Sequence, residues 1–579
     1  MTRVFDDPAA FADDALAGFA VAYPGYVLRV DGGVVRTSAG RPGQVAVVIG
    51  GGSGHYPAFA GLVGPGLATG AVCGKIFASP SAGQAYRVAR AADSGGGVLF
   101  SYGNYAGDRM QFGQAEQRLR AEGVDARTVV VTDDIASASV NQIADRRGIA
   151  GDLTVFKVAG SAAESGLGLD EVERLANKAN LRTRTLGVAF TGCTLPGAPG
   201  PLFTVPPGKM SIGLGIHGEP GISDVPLPSA HGLAEILVSR LLEERPEGPA
   251  ERAVVLLNGL GTIKYEELFV LFGRVAAQLG TAGVEVVDVE CGELVTSLDM
   301  SGLSLTLFWT DEELEALWSA PADTPAFRKP DRPRVERRQV TAPDVTAVTA
   351  EPASAASRRL ARLAALALGT AAEVVQEHER ELGDLDAVAG DGDHGAGMRR
   401  GADGAAEAAR AAVDRGAGVH ELLMAAGDEW SERAGGTSGA LWSAALMALA
   451  SSLRSGGSYS PVDLVEAATA ARDAMVALGQ AEPGDKTVID ALSPFVEVLG
   501  HEIAEGRQLA SALVTSASAA TAAAAATSGL RPRKGRARPL ADRSIGTPDP
   551  GATSFALIVT ALAARASTWA DEYDRSQAE

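Results

Sequence analysis

The sequence predicts a multidomain protein in which two α/β units are followed by an all-α unit, and three observations carry that prediction. In the first 325 residues, short apolar runs end in glycine or polar loops and lead into helix-like stretches, as buried strands alternating with helices would. A proline-dense stretch containing Pro330, Pro333, Pro343 and Pro352 then breaks the pattern. Beyond it the chain is alanine-rich, with apolar residues at helical spacing and no strand runs of comparable strength. With 579 residues, 46% of them hydrophobic, the chain is too long for one core.

Taken in order, the runs 45–49, 96–100 and 128–131 read as strands, and Arg109 to Glu122 as a helix. A second α/β unit is expected from about residue 185, with strands at 186–190, 210–214, 253–257 and 284–287 and helices at 230–244 and 265–279. Loops that carry function are expected where these strands end. The boundaries that follow are a first part over 1–325 (subdivided at about 184/185), a linker over 326–356 and a helical domain over 357–575. Helical periodicity is clearest over 360–375, 422–430 and 441–453.

The formal charge of −20 and the pI near 4.9 argue against non-specific binding to nucleic acid or an anionic membrane. One basic cluster, residues 531–538, stands against that field, either as a solvated loop or as an arm near phosphates. No signal-peptide pattern and no uninterrupted apolar run of spanning length are found, so a cytoplasmic protein is expected. Cys73, Cys193 and Cys291 are too few and too scattered for a disulfide framework or a zinc site.

The chemistry-bearing motifs begin with Asp386, Asp391 and Asp393, interleaved with Gly390, Gly392 and Gly395. On one helix these carboxylates would scatter, so their convergence needs a tight turn, and converged carboxylates need a cation. Hard oxygens without cysteine suit Mg²⁺, which shares its octahedron with phosphate oxygens, so a metal–nucleotide site is read here. A solvated acidic turn is the competing reading. A calcium EF-hand fails, because Ala396 and Ala402 stand where that loop needs Gly and Glu.

In the first half, Gly52, Ser53, Gly54 and His55 follow a strand without completing a dinucleotide fingerprint, and suit a small hydroxylated ligand. Asp108 lies just past another strand, where it fits a helix cap as well as a base. His217, isolated among glycines, reads as functional more than structural. In the helical part, Thr437 and Ser438 precede an apolar helix, a setting for phosphate at a helix N-terminus. Gly479 to Thr487 fails as a P-loop, since Asp485 intrudes before Lys486 and no strand leads in, yet Lys486 and Thr487 remain candidate phosphate or metal-shell contacts. Asp549, Pro550 and Gly551 are placed to close over a nucleotide.

Together these motifs resemble the dihydroxyacetone kinase family in its fused, ATP-dependent form. The resemblance spans nearly the whole chain, through Gly50 to His55, Phe77 to Ser81, Asn104 to Asp108, Gly215 to Glu219, Gly390 to Gly395, Gly436 to Gly439, Gly484 to Thr487 and Asp549 to Gly551. It implies ATP and Mg²⁺ as cofactors and a short-chain ketose as substrate. His217 is the residue implied to add to the ketone as a hemiaminal. His55 and Asp108 are implied to bind substrate and handle protons, with Gly52, Ser53, Gly54 and Ser79 also at the substrate. Asp386, Asp391 and Asp393 are implied Mg²⁺ ligands. Asp391, Gly392, Asp393, His394, Thr437, Ser438, Gly479, Lys486, Thr487, Asp549, Pro550 and Gly551 are implied at the nucleotide. An antiparallel helical barrel and a homodimer are also implied.

The chain departs from the family where relatives that use dihydroxyacetone commonly show Lys-Asn-Tyr-Thr-Gly-Asp; Gly103 and Ala106 replace the Lys and Thr. The stretch Gly192 to Gly197 also lacks a His that such relatives often show. A wider pocket is expected at Gly103, which makes erythrulose a candidate beside dihydroxyacetone. The competing functions are a non-enzymatic ketose sensor and a cyclising lyase acting on a flavin nucleotide.

Overall fold

The computed structural model describes residues 2–248, 250–331, 353–454, 458–534 and 538–578. They form two compact units that divide near residue 338. The first holds two six-stranded sheets. Sheet one is built from β1 (Val27–Val30), β2 (Gly33–Arg36), β3 (Ala46–Ser53), β4 (Gly70–Ile76), β5 (Val98–Gly103) and β6 (Ala126–Val131), in the order β1-β2-β4-β3-β5-β6. Its β4-β3-β5-β6 portion is parallel. Sheet two contains β7 (Thr183–Ala189), β8 (Lys209–Ile212), β9 (Ser223–Pro226), β10 (Arg252–Gly259), β11 (Glu285–Gly292) and β12 (Gly302–Trp309), in the order β11-β10-β12-β7-β8-β9. Only its β10–β11 pair is parallel.

The period-2 geometry of a strand explains why the two sheets form one unit. On β3, Ala46 and Val48 enter one core while Val47 and Ile49 enter another. On β10, Val254 and Leu256 enter that same second core, while Ala253, Val255 and Leu257 enter a third. One face of each sheet therefore closes on a shared interior, which also holds the helix Asp152–Glu164, buried from Asp152 through Ala163. The loops at the ends of β3, β5 and β8 open at a common edge of this interior.

The linker expected over 326–356 lies largely on residues 332–352, outside the described set. Its first residues belong to the unit before it: Arg328–Lys329 pairs with Ala322–Asp323, and Phe327 is buried in the shared core. The helical unit starts at Ala355 rather than residue 357.

Among the described residues of the second unit, eight helices close a ring: Ala355–Glu377, His394–Asp414, Val419–Ala434, Gly436–Ser452, Pro461–Gly479, Ile489–Ala504, Leu509–Ala526 and Pro550–Ala578. Each packs on its neighbours in sequence and the last packs on the first. Where the connections are short they make neighbours antiparallel, and no strand occurs among the described residues of this unit. A ninth helix, Glu379–Ala387, is inserted before the second. Alanines at the contacts, such as Ala402, Ala405, Ala409 and Ala426, let the helices approach closely. The segment Leu509–Gly529 is long and apolar enough to cross a membrane by length and composition, though it is not an uninterrupted apolar run. Ser511, Thr515, Ser516, Ser518 and Thr521 interrupt its apolar run, and its helix packs within the ring against Ile489–Ala504 and Pro550–Ala578.

Candidate active site

The first unit encloses a cavity of about 270 Å³ whose walls include His55, Ser79, Asp108, Asp152, His217 and Glu219. His55 lies two residues past β3, and Asp108 in the first turn of the helix that follows β5. His217 arrives from sheet two, on the β8–β9 connection, where Gly213 and Gly218 take φ of +72° and +86°. A side chain would strain those turns, which accounts for the glycines around His217.

The two histidine rings meet edge to face, with Nε2 of His55 3.0 Å from Nε2 of His217. Nδ1 of His55 lies 2.7 Å from the carbonyl of Thr296, which can only accept, so Nδ1 carries a proton. Burial, reinforced by the neighbouring His217, pushes the His55 pKa down to about 3, so near neutrality His55 has a bare Nε2. On the far side of His217, Nδ1 lies 3.1 Å from a Glu219 carboxylate oxygen. Burial alone would push Glu219 up; the hydrogen bond and charge of His217, with Arg147 behind, outweigh it and hold Glu219 at about 2. Arg147 is anchored by Asp134 at 2.8 Å. Both His217 nitrogens thus face acceptors, which requires a proton on each. Phe77 and Tyr105 pack edge-on against the His217 ring and complete its box.

Ser79 donates to Asp108 Oδ2 at 2.8 Å, while Asp108 Oδ1 is buried without a partner. Burial raises the pKa of this carboxyl, and the Ser79 hydrogen bond partly opposes the rise. Gly52 also lines the cavity, but Ser53 and Gly54 do not: they face an adjoining groove, and the Ser53 hydroxyl is used by the Gly74 carbonyl at 2.6 Å. Gly103 does line the cavity. The direction its Cβ would take is closed by the Gly148 carbonyl at 3.0 Å, so the room expected there is bounded by backbone.

The helical unit has its own cavity of about 520 Å³. It brings together Asp386, Asp391, Asp393, His394, Thr437, Ser438, Gly479, Lys486, Thr487, Asp549, Pro550 and Gly551. Gly392 is not on its wall; its amide instead donates to Asp386 Oδ2 at 2.9 Å. The three carboxylates come from two elements, Asp386 from the last turn of Glu379–Ala387 and the others from the loop before His394–Asp414. Ligand oxygens of all three lie within 4.8 Å of one another. Gly395 does not help the loop turn: it sits in the helix, where a Cβ would fall 1.9 Å from the Glu379 carbonyl. Lys486 is turned inward, with Nζ held by the carbonyls of Ser544 at 2.6 Å and Leu530 at 3.2 Å.

Comparison with known proteins separates the same two halves. The Dak1 domain matches residues 17–326 and the DAK2 domain residues 388–564. The chain belongs to the dihydroxyacetone kinase family. It is 55% identical to a D-erythrulose kinase of Mycolicibacterium smegmatis, covering 97% of this chain and 98% of that one. It is 52% identical to an L-erythrulose kinase of Pectobacterium atrosepticum, covering 97% and 96%. A solved dihydroxyacetone kinase from C. freundii, in complex with AMP-PNP and Mg²⁺, aligns with a TM-score of 0.61 at 30% identity over 97% of this chain and 99% of that one.

For a member of this family the donor set in the helical unit fits Mg²⁺ with a nucleotide. Three hard carboxylates converge, and a Cβ on Gly390 would fall 2.3 Å from Asp386 Oδ1, so glycine there keeps the cluster open. Thr437 and Ser438 stand at the start of Gly436–Ser452, where unpaired amides favour phosphate. Sequence reasoning missed Glu219, Asp152 and Tyr105 in the first cavity, Arg147 behind Glu219, and Arg400 and Trp442 in the second cavity. Glu219 lay within the quoted glycine motif, two residues from His217, and that spacing was its only signal. Lys534, from the basic cluster, does reach the nucleotide cavity.

Proposed function

We propose that this protein transfers the γ-phosphoryl group of ATP to a hydroxymethyl group of a short-chain ketose held covalently on His217, with erythrulose preferred to dihydroxyacetone. The observation that carries this reading is the 3.0 Å pairing of His217 and His55 in a cavity that also holds the unpartnered oxygen of Asp108. Full-length relatives named as erythrulose kinases support the substrate class. The cofactors are ATP and Mg²⁺.

His217 begins with a proton on each nitrogen. As the ketose enters, Nε2 passes its proton to His55, and the freed lone pair attacks the carbonyl carbon. The π pair moves onto oxygen, which takes the proton from His55, leaving a hemiaminal. Burial disfavours a lasting charge on His55 and so drives the proton onward. The His217 ring carries one positive charge before and after, opposite the ionised Glu219. Polyols such as glycerol lack the carbonyl and are not captured. The hydroxymethyl group, now fixed in place, gives its proton to Asp108 as its oxygen bonds the γ-phosphorus, the β–γ bridging bond breaks and ADP leaves. Asp386, Asp391 and Asp393 would hold Mg²⁺, which supplies positive charge to the phosphate oxygens when bound. The nucleotide-facing amides and hydroxyls of Thr437 and Ser438 orient the phosphates.

We further place the protein in the cytoplasm, where ATP is supplied, as a homodimer; light scattering at twice 59.1 kDa tests the latter. The central test is ADP release with ATP, Mg²⁺ and a panel of three- to five-carbon ketoses. Release that depends on erythrulose, at a kcat/KM above that for dihydroxyacetone, is expected. A preference for dihydroxyacetone removes the erythrulose assignment, and ketose binding without ADP release favours a sensor.

A further inference from the structure

Asp152 opens the buried helix Asp152–Glu164 and lines the ketose cavity beside Gly103 and Gly148. Its surroundings make it an expensive residue. Only 4% of it is exposed, and Oδ1 has no hydrogen-bond partner. The neighbouring Asp133 is also buried, yet its two oxygens accept the amides of Ile149 and Gly151, each at 2.8 Å. Asp108 has at least the Ser79 hydroxyl. An aspartate in the first turn of a helix suits the helix dipole. That reading explains why Asp152 is acidic, but not why an oxygen is left unpaired at a cavity wall.

The two glycines explain how the carboxyl stays uncovered. A Cβ on Gly148 would fall 2.8 Å from Asp152 Oδ1 and 2.4 Å from the Gly103 Cα. A Cβ on Gly103 would in turn press on the Gly148 backbone. Any larger pair at these positions would cover or displace the carboxyl, so the wall is backbone with one acid group set into it.

We infer that Asp152 determines specificity: it hydrogen-bonds the hydroxyl that a four-carbon ketose carries and a three-carbon ketose lacks, at the backbone wall formed by Gly103 and Gly148. The inference rests on the ketose kinase reading above and names the group that selects among ketoses. Burial, then repulsion from Asp133 and Asp108, raises the Asp152 pKa well above the usual carboxylate range, which favours the protonated form that can donate as well as accept. A site built to hydrogen-bond a substrate hydroxyl discriminates strongly against the analogue without it, because its buried group is then left unpaired.

The test measures kcat/KM for D-erythrulose, L-erythrulose and dihydroxyacetone in wild type, Asp152→Ala and Asp152→Asn. Asp152→Ala should lower kcat/KM for the preferred erythrulose roughly ten- to two-hundredfold, mainly through KM, while dihydroxyacetone changes no more than about threefold. Asp152→Asn, which keeps the shape and a donor and acceptor, should recover most of the loss. Neither variant should melt below wild type, since each replaces a buried carboxyl whose Oδ1 has no partner. An equal loss on both sugars, a lowered melting temperature accompanying a general loss, or an unchanged erythrulose rate each overturns the inference. Wild type that phosphorylates no ketose, or only dihydroxyacetone, defeats the erythrulose reading itself, and that is known before any variant is compared.

Discussion

His217 is held between opposites, a neutral His55 forced bare by burial and a Glu219 forced ionised by its partners, and this arrangement lets a ring that starts fully protonated act as a nucleophile. His217→Ala should abolish the sugar-sized mass adduct on the protein and lower turnover most at low ketose concentration; an unchanged kcat and KM would rule out the covalent role. Glu219→Gln keeps the shape but removes the charge opposite His217, and should lower ketose kcat/KM by about ten- to a hundredfold while nucleotide affinity stays as in wild type. Titration of nucleotide binding beside steady-state kinetics checks both halves of that statement. His217 could be singled out from its glycine setting, whereas Glu219 and Arg147 could not. Their significance is a contact geometry, 3.1 Å and 3.8 Å, created only when the β8–β9 loop folds back beside residue 147.

Among elements, the turn between Glu379–Ala387 and His394–Asp414 shows how close packing supports a charged cluster. Gly390→Ala would drive a methyl into Asp386 Oδ1 and should raise the Mg²⁺ concentration needed for half-maximal turnover without lowering the melting temperature. Gly395→Ala replaces glycine by a better helix former, yet should destabilise the unit by about 1–3 kcal/mol, since the methyl meets the Glu379 carbonyl. Asp549, whose Oδ2 accepts the Ala552 amide and caps Pro550–Ala578, gives a pH signature. Burial is the main cause that raises its pKa from 3.8 to about 7, against the pull of that amide. Between those values the unfolded chain has released a proton that the folded chain keeps, so stability falls as pH rises from about 4 to about 7. Asp549→Asn should flatten that fall in thermal melts recorded between pH 4 and pH 8 without nucleotide. The helix Asp152–Glu164 was not legible at this scale. Its polar residues Thr154, Lys157 and Ser161 are buried together with its apolar ones, so residue type along it marks no solvent-facing stripe.

For the whole molecule, two compact units carry two cavities, and lesions in them should separate. Asp391→Asn or Asp393→Asn should abolish ATP-dependent turnover while the mass adduct at His217 still forms; near-wild-type turnover in Mg²⁺ would defeat the metal assignment. By itself the sequence determined the class of each part: apolar runs of strand length ending in glycine, then an alanine-rich helical period, with carboxylates among glycines marking a cation site. These are local signals, because strand alternation, helical period and turn chemistry are written in neighbouring residues. Only the tertiary structure decided that both sheets close on one core, that Ser53 turns away from the cavity while Ser79 faces it, and that Oδ1 of Asp152 stands without a partner beside two glycines. Each of those depends on residues far apart in the chain meeting across a packed interior, as His55 and His217 do from different sheets, and no period in the sequence encodes such a meeting.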